Sequence, residues 1–183
     1  GLKPLSVQRK IAGAAVTVKL GTTPPSEHKR HLGTAAILAC QAGDVIVVQQ
    51  STGIDCAGWG GVLCVGAQLK EVSGVIVEGP ARDIDEAREL GFPVYARSAT
   101  ATTARGRVYE QDFNCIIQVG DVEVKPGDYV IADGSAVAFV PRDRVEEVLV
   151  RAERIADRER LMILALKNGE AITEVMGKNY ETM

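Results

Sequence analysis

Two short, unbroken apolar runs, Val45-Ile46-Val47-Val48 and Gly74-Val75-Ile76-Val77, restrict this chain more than any other feature. Each is too short for a helix and lacks polar alternation, so each reads as a strand buried on both faces. Between them Val62, Val65, Gly66 and Leu69 recur at helical spacing, which predicts a helix over 60–71. After the second run, Glu78-Gly79-Pro80-Ala81 leads into a short helix from Asp83 to Leu90. Gly91-Phe92-Pro93 then restarts the chain as a strand, Val94-Tyr95-Ala96. Two β-α-β crossovers laid end to end imply neighbouring parallel strands.

Upstream, Ile11 to Leu20 reads as a strand stopped by Gly21-Thr22-Thr23-Pro24-Pro25. Ser26 then serves as N-cap, with Glu27 behind it, for a helix expected to run to about Gln41. Downstream, Ile116–Val119, Val122–Val124, Tyr129–Ala132 and Val137–Val140 are short runs split by Gly, Pro and Asp, and they predict an antiparallel β layer. A long helix follows from about Arg142 to Lys167, with Val145, Val148, Leu149, Ala152, Ile155 and Ala156 on its apolar face. The tail from Asn168 reads as irregular and long enough to reach a neighbouring subunit. No repeat or linker is visible, so the expectation is one α/β domain over 1–183, burying roughly two thirds of its surface. The chain begins at Gly1 without a methionine, which allows for a preceding segment.

At 46% hydrophobic and 25% charged, the composition is that of a globular protein. The formal charge of −3 sets up no field that would draw nucleic acid. Arginines 142, 144, 151, 154, 158 and 160 are interleaved with acidic residues, as on a solvated helix face. No apolar run approaches a membrane span and no signal peptide is visible. Cys40, Cys56, Cys64 and Cys115 form no C-x-x-C pair, so reduced thiols in a cytoplasmic protein are expected. His28 and His31 could share a helix face and a metal, but solvent-facing residues on a first helical turn are the better account.

In open α/β sheets ligands bind beyond the carboxyl ends of parallel strands. Those ends are Gln49–Gly61 and Glu78–Asp83, and the two loops should lie side by side. The first closes on Gly58-Trp59-Gly60-Gly61 and opens a helix, whose first N–H groups and dipole suit a carboxylate or phosphate. It is not a P-loop, because no Gly-Lys-Ser/Thr follows. The second brings Arg82, whose fork suits a carboxylate or enolate oxygen, and Asp83, which suits a hard divalent cation. Alone, Arg82-Asp83 could be a surface ion pair or a helix cap. Set beside the glycine-rich helix start, the pair describes a 2-oxo acid site.

These residues resemble the 4-hydroxy-4-methyl-2-oxoglutarate aldolase family, which also contains the regulator of ribonuclease E activity. The resemblance runs from Gly1-Leu2-Lys3-Pro4-Leu5, through Gly43-Asp44-Val45-Ile46-Val47-Val48, to Lys125-Pro126-Gly127-Asp128 and the final helix. Its most specific element is Gly61, then Arg82-Asp83, then Glu86. It implies an RraA-like β/β/α "swivelling" fold and homotrimers or homohexamers with active sites between subunits. It also implies a Mg²⁺- or Mn²⁺-dependent class II aldolase that forms pyruvate through an enolate and decarboxylates oxaloacetate. By position, Asp83 would bind the metal and Arg82 would contact the pyruvate portion. Gly60, Gly61, Val62 and Leu63 would offer backbone N–H groups to the carboxylate. Some aldolase members carry, in place of Gly61, an aspartate that holds water on the metal. That role would fall to Glu86, or to Glu174 or Glu181 from a neighbouring subunit's tail. A Schiff-base aldolase is disfavoured, since no lysine lies in a buried strand run near these loops. A methyltransferase is disfavoured too, for want of a glycine-rich nucleotide loop followed by a ribose-binding acid. The rival from another class is a non-catalytic regulator of ribonuclease E.

Overall fold

The computed structural model describes residues 1–25 and 30–177. The chain divides into two compact units, Gly1–Arg142 and Asp143–Met183. The elements of the first are β1 (Lys3–Pro4), β2 (Ile11–Gly21), α1 (Thr34–Ala39), β3 (Val45–Gln49), α2 (Gly61–Leu69), β4 (Gly74–Ala81), α3 (Ile84–Glu89) and β5 (Val94–Ala99), then the strands β6 (Tyr109–Phe113), β7 (Ile117–Val119), β8 (Val122–Val124), β9 (Tyr129–Ala132) and β10 (Val137–Val140).

The order of the main sheet is β1-β5-β4-β3-β2-β9-β10, with β6 also on β2 and a separate β7-β8 pair. β2, β3, β4 and β5 are parallel neighbours: the two end-to-end crossovers require this of β3, β4 and β5, and a third through α1 adds β2. β9 and β6 pair antiparallel with the two ends of the long β2. Strand alternation then sorts the core into two clusters. Ile46, Val48, Val75 and Val77 pack with the helical residues Ala36, Ile37, Leu63, Cys64 and Ala87. Val45, Val47 and Ile76 pack instead with Ile117, Val119, Val124 and Val130 of the later strands. The central runs are buried on both faces because helices cover one and the antiparallel layer covers the other.

The second unit holds, among its described residues, α4 (Val145–Lys167) and α5 (Ile172–Val175). Arg144 and Arg151 both pair with Glu147, and Arg160 pairs with Asp157, which gives α4 the mixed-charge face read from the sequence. Its apolar stripe is not covered within the unit: no residue of α4 is buried.

Four expectations need correction. The helix expected from Ser26 begins only at Thr34, because Gly33 is left-handed at φ 73° and residues 30–33 are not helical. Ser26, Glu27 and His28 lie outside the described residues, as does Glu181. β4 extends through Pro80, where a shift in register against β5 accommodates a residue that cannot donate. β6, whose Tyr-Glu-Gln-Asp-Phe sequence is mostly polar, is a strand with no counterpart among the expected elements, and the tail expected to be irregular contains α5. No helix among the described residues is long and apolar enough to cross a membrane.

Candidate active site

The loops after β3 and β4 do lie side by side, and backbone hydrogen bonds join them. Gln50 N–H donates to Glu78 O (3.0 Å), Gly58 N–H to Pro80 O (2.9 Å) and Arg82 N–H to Trp59 O (3.0 Å). The stretch after β5 is tied in by Ala57 N–H to Thr102 O (3.0 Å) and Thr100 N–H to Ala81 O (2.9 Å). Inside the first loop the buried Gln50 spans the turn, its Nε2 donating to Ile54 O (3.1 Å) and Cys56 O (2.6 Å). That buried amide was not read from the sequence, since a single glutamine after a strand carries no local signal.

Asp83 sits at the junction. It precedes α3 in the left-handed conformation, φ 56° and ψ 44°, and makes no side-chain cap to its own helix. Its carboxylate turns to α2 instead. Oδ2 accepts from Gly61 N–H at 2.8 Å and lies 3.3 Å from Arg82 Nε. Room for this exists because residue 60 has no side chain: a Cβ there would stand 2.9 Å from Oδ2 and 3.2 Å from Arg82 Nε. An unusual backbone conformation at a strand end beside an arginine is the kind of outlier that points towards a functional site.

Of the four residues expected to offer N–H groups, Gly61 already donates to Asp83. The first intrahelical bond of α2 is Cys64 N–H to Gly60 O (3.1 Å), so Val62 and Leu63 remain as first-turn donors for an incoming anion. Arg82 and Asp83 line one cavity with Gly60, Gly61, Val62 and Leu63. Glu86 is not part of that lining; it is exposed on α3. Glu174 lies on α5 in the other unit.

The cavity measures about 620 Å³, within the range of small-molecule sites. Its lining adds residues that were not singled out for the site: Arg30, Thr34, Ala57, Trp59, Val108 and Tyr109. His31, weighed only as a partner for His28, lines it too, and so does Arg105 of the loop after β5. Trp59 is buried, with its indole N–H 3.3 Å from Cys64 Sγ. Burial pushes the Cys64 thiol up to about 11, which removes it as a nucleophile near neutral pH. Cys40, similarly buried and facing the Asp44 charge, is pushed up to about 12.

Among the described residues no group of three His, Cys, Asp or Glu could cage a metal ion. The donor set present is the single Asp83 carboxylate beside open cavity space. That suits a cation such as Mg²⁺, which keeps several waters and takes further oxygens from a substrate, and does not suit a closed structural site.

Comparisons with known proteins agree with this fold. Residues 1–139 match the RraA-like family, described as Aldolase/RraA. The protein DlpA of Legionella pneumophila is 28% identical over 94% of this chain, although the chain spans only 28% of DlpA's length. A Deinococcus radiodurans protein, provisionally named a 4-hydroxy-4-methyl-2-oxoglutarate aldolase, is 30% identical over 72% of this chain and 78% of its own. Among solved structures, Streptomyces coelicolor RraAS2, described as an unusual member of the RNase ES inhibitor RraA family, superposes with a TM-score of 0.75. It is 25% identical, over 88% of this chain and 80% of that one. With the family match spanning most of its length and the fold in agreement, this chain belongs to the RraA-like family.

Proposed function

We propose that this chain is a divalent-metal-dependent lyase that releases pyruvate from a 4-hydroxy-2-oxo acid such as 4-hydroxy-4-methyl-2-oxoglutarate, and from oxaloacetate. The observation that carries this reading is Asp83, held left-handed so that its carboxylate meets the start of α2 beside Arg82 in one cavity. A relative provisionally named as such an aldolase supports it.

The substrate's C1 carboxylate is taken by the free first-turn N–H groups of Val62 and Leu63, aided by the α2 dipole. Arg82 faces the C2 oxygen. When the C3–C4 bond breaks, its electron pair moves into the C2–C3 bond and charge collects on that oxygen, where the guanidinium stabilises it. The C4 hydroxyl gives up its proton as C4 becomes a carbonyl, and a proton returned to C3 completes pyruvate. The lining side chains able to carry those protons are His31 and Tyr109. Asp83 would hold the cation, which when bound supplies Lewis-acid polarisation of the 2-oxo group. Oxaloacetate passes through the same electron flow, losing carbon dioxide in place of a carbonyl product. Homotrimers or homohexamers with sites between subunits, as the family resemblance implies, would add groups from a second chain.

The test is pyruvate release from 4-hydroxy-4-methyl-2-oxoglutarate and oxaloacetate, with Mg²⁺, with Mn²⁺ and with EDTA. Turnover that survives EDTA, or that is unchanged in Arg82→Ala, sinks the proposal. No turnover of either substrate, together with co-purification of a ribonuclease, moves the reading to the inhibitor role for which RraAS2's family is described.

A further inference from the structure

Among the described residues three polar side chains are buried: Thr17, Gln50 and Asp128. Thr17 donates to Cys115 O, and Asp128 accepts from the Lys125 and Arg142 N–H groups, so both tie down the segments around the antiparallel strands. Gln50 alone stands at the carboxyl end of a parallel strand, directly after β3, where it is 2% exposed.

A buried amide is costly unless its hydrogen-bonding groups are satisfied. Those of Gln50 are. Nε2 donates to Ile54 O (3.1 Å) and to Cys56 O (2.6 Å), and the Thr52 hydroxyl donates to Oε1 (3.4 Å). Two glycines make room for this. A Cβ at Gly58 would stand 3.0 Å from Gln50 Cβ, and one at Gly79, where φ is 150°, would run into Gln50 O. The side chain is therefore wedged between the loop after β3 and the loop after β4.

The segment it holds leads directly into the site. After Cys56, Ala57 N–H reaches Thr102 O, Gly58 N–H reaches Pro80 O, and Trp59 O receives Arg82 N–H at 3.0 Å. Two residues further on, Gly61 N–H meets the Asp83 carboxylate at 2.8 Å. Gln50 itself does not line the cavity, so any influence on Arg82 and Asp83 passes through the main chain of 56–61.

We infer that Gln50 is a positioning residue for this site: its amide fixes the course of residues 54–56, and through them the main-chain contacts that set Arg82 and Asp83. The catalytic consequence rests on the lyase reading above; the structural one rests on the fold alone. The plainer alternative is that Gln50 only satisfies two carbonyls of a buried turn. Its loss would then lower stability and leave the site's geometry as it was.

The experiment compares wild type with three variants. Gln50→Met keeps the length and loses the donor, and Thr52→Val removes the hydroxyl that meets Oε1. Val130→Ala opens a cavity in the other core cluster and measures the effect of lost stability alone. Amide hydrogen exchange reads the contacts without any ligand. In Gln50→Met, protection of the Gly58, Gly61 and Arg82 amides should fall on the order of tenfold more than that of β2 and β9, as expected for loss of about one hydrogen bond. Val130→Ala should give the reverse order. The second readout is pyruvate release. The kcat per folded molecule should fall on the order of tenfold in Gln50→Met, with less change in KM, because small displacements of reacting groups are amplified in rate. Val130→Ala should melt earlier with kcat unchanged. If Gln50→Met does not fold, Thr52→Val carries the comparison, with the same order of amides and a smaller change. If wild type turns over neither substrate, the lyase reading fails while the exchange readout still decides on Gln50. Protection lost evenly across all elements, or kcat unchanged in Gln50→Met while its melting temperature drops, overturns the inference.

Discussion

In the wall of the cavity built on strand ends, residues 58–63 and 80–83, the chain is tied main chain to main chain: Gly58 to Pro80, Arg82 to Trp59. In the other group, residues 30–34 and 103–109, main-chain bonds stay within each turn and a side chain links to the strand beside it: Glu110 of β6 holds Gly33 and Arg30. The first wall rests on β3 and β4, whose central residues are wholly buried; the second rests on β6, where no residue is. Backbone ties place reacting groups with little freedom, which suits chemistry, whereas side-chain ties can differ between relatives without disturbing the sheet, which suits selection of a substituent. If that contrast holds, damage to the strand-end wall should appear in kcat and damage to the β6 wall in KM or in stability.

The largest effect is expected at Asp83. Asp83→Asn keeps an acceptor for Gly61 N–H but removes the charge that would hold a divalent cation, so kcat should fall on the order of a thousandfold, the upper end for loss of one electrostatic group. Mg²⁺ titration of the wild type and the variant checks it, and near-normal activity in the variant would detach the metal from this residue. Arg82→Ala comes next, with kcat lowered on the order of a hundredfold and the Ki of pyruvate-like inhibitors less affected. A loss confined to KM would mean that Arg82 only binds, and the contrast between the walls would blur.

Crossing to the β6 wall, Gly33→Ala tests the geometry rather than the charge. Gly33 is left-handed, and a Cβ there would stand 2.8 Å from the Trp59 ring. Conformational strain alone costs about 1–2 kcal/mol, and the clash adds to it. Thermal unfolding should show the loss, accompanied by a rise in KM and a kcat close to normal. A kcat that collapses with the melting temperature unchanged would show that this wall takes part in the chemistry.

The two walls were also unequally legible in the sequence. Gly60–Leu63, Arg82 and Asp83 could be found because apolar runs mark parallel strands, and parallel strands place their sites at their carboxyl ends. Arg30 and Glu110 are eighty residues apart and meet only because β6 pairs with β2, through a bulge between Lys19 and Leu20. A polar five-residue strand gives no periodic signal from which that pairing could be read. Glu86 lies away from the cavity lining for a related reason. Three residues after Asp83 it would share a face on a regular helix, but Asp83 is left-handed and sends its carboxylate to α2. The apolar stripe of α4 is a pattern, and a pattern alone does not say what covers it.

The smallest expected effect is a slope in pH and not a loss at any one pH. Burial raises the Glu110 carboxyl above its ordinary value of 4.5, against the opposing pull of the Gly33 N–H and of Arg30. A carboxyl raised in the folded state holds its proton more tightly there than in the unfolded chain. Between the two values the native state therefore binds more protons, and stability falls as pH rises through that window. Below the unfolded value both states are protonated and the penalty is absent; above the folded value it is present in full. Glu110→Gln carries no charge, so it should gain on the wild type as pH rises and hold a constant difference at either end. Urea unfolding of both proteins from about pH 4 to pH 8 reads the difference directly, since contributions from other groups cancel. A difference that stays flat would mean that Glu110 titrates as an ordinary surface acid. Arg30 would then lose its buried partner, and the β6 wall would have no fixed cation to set against the strand-end wall.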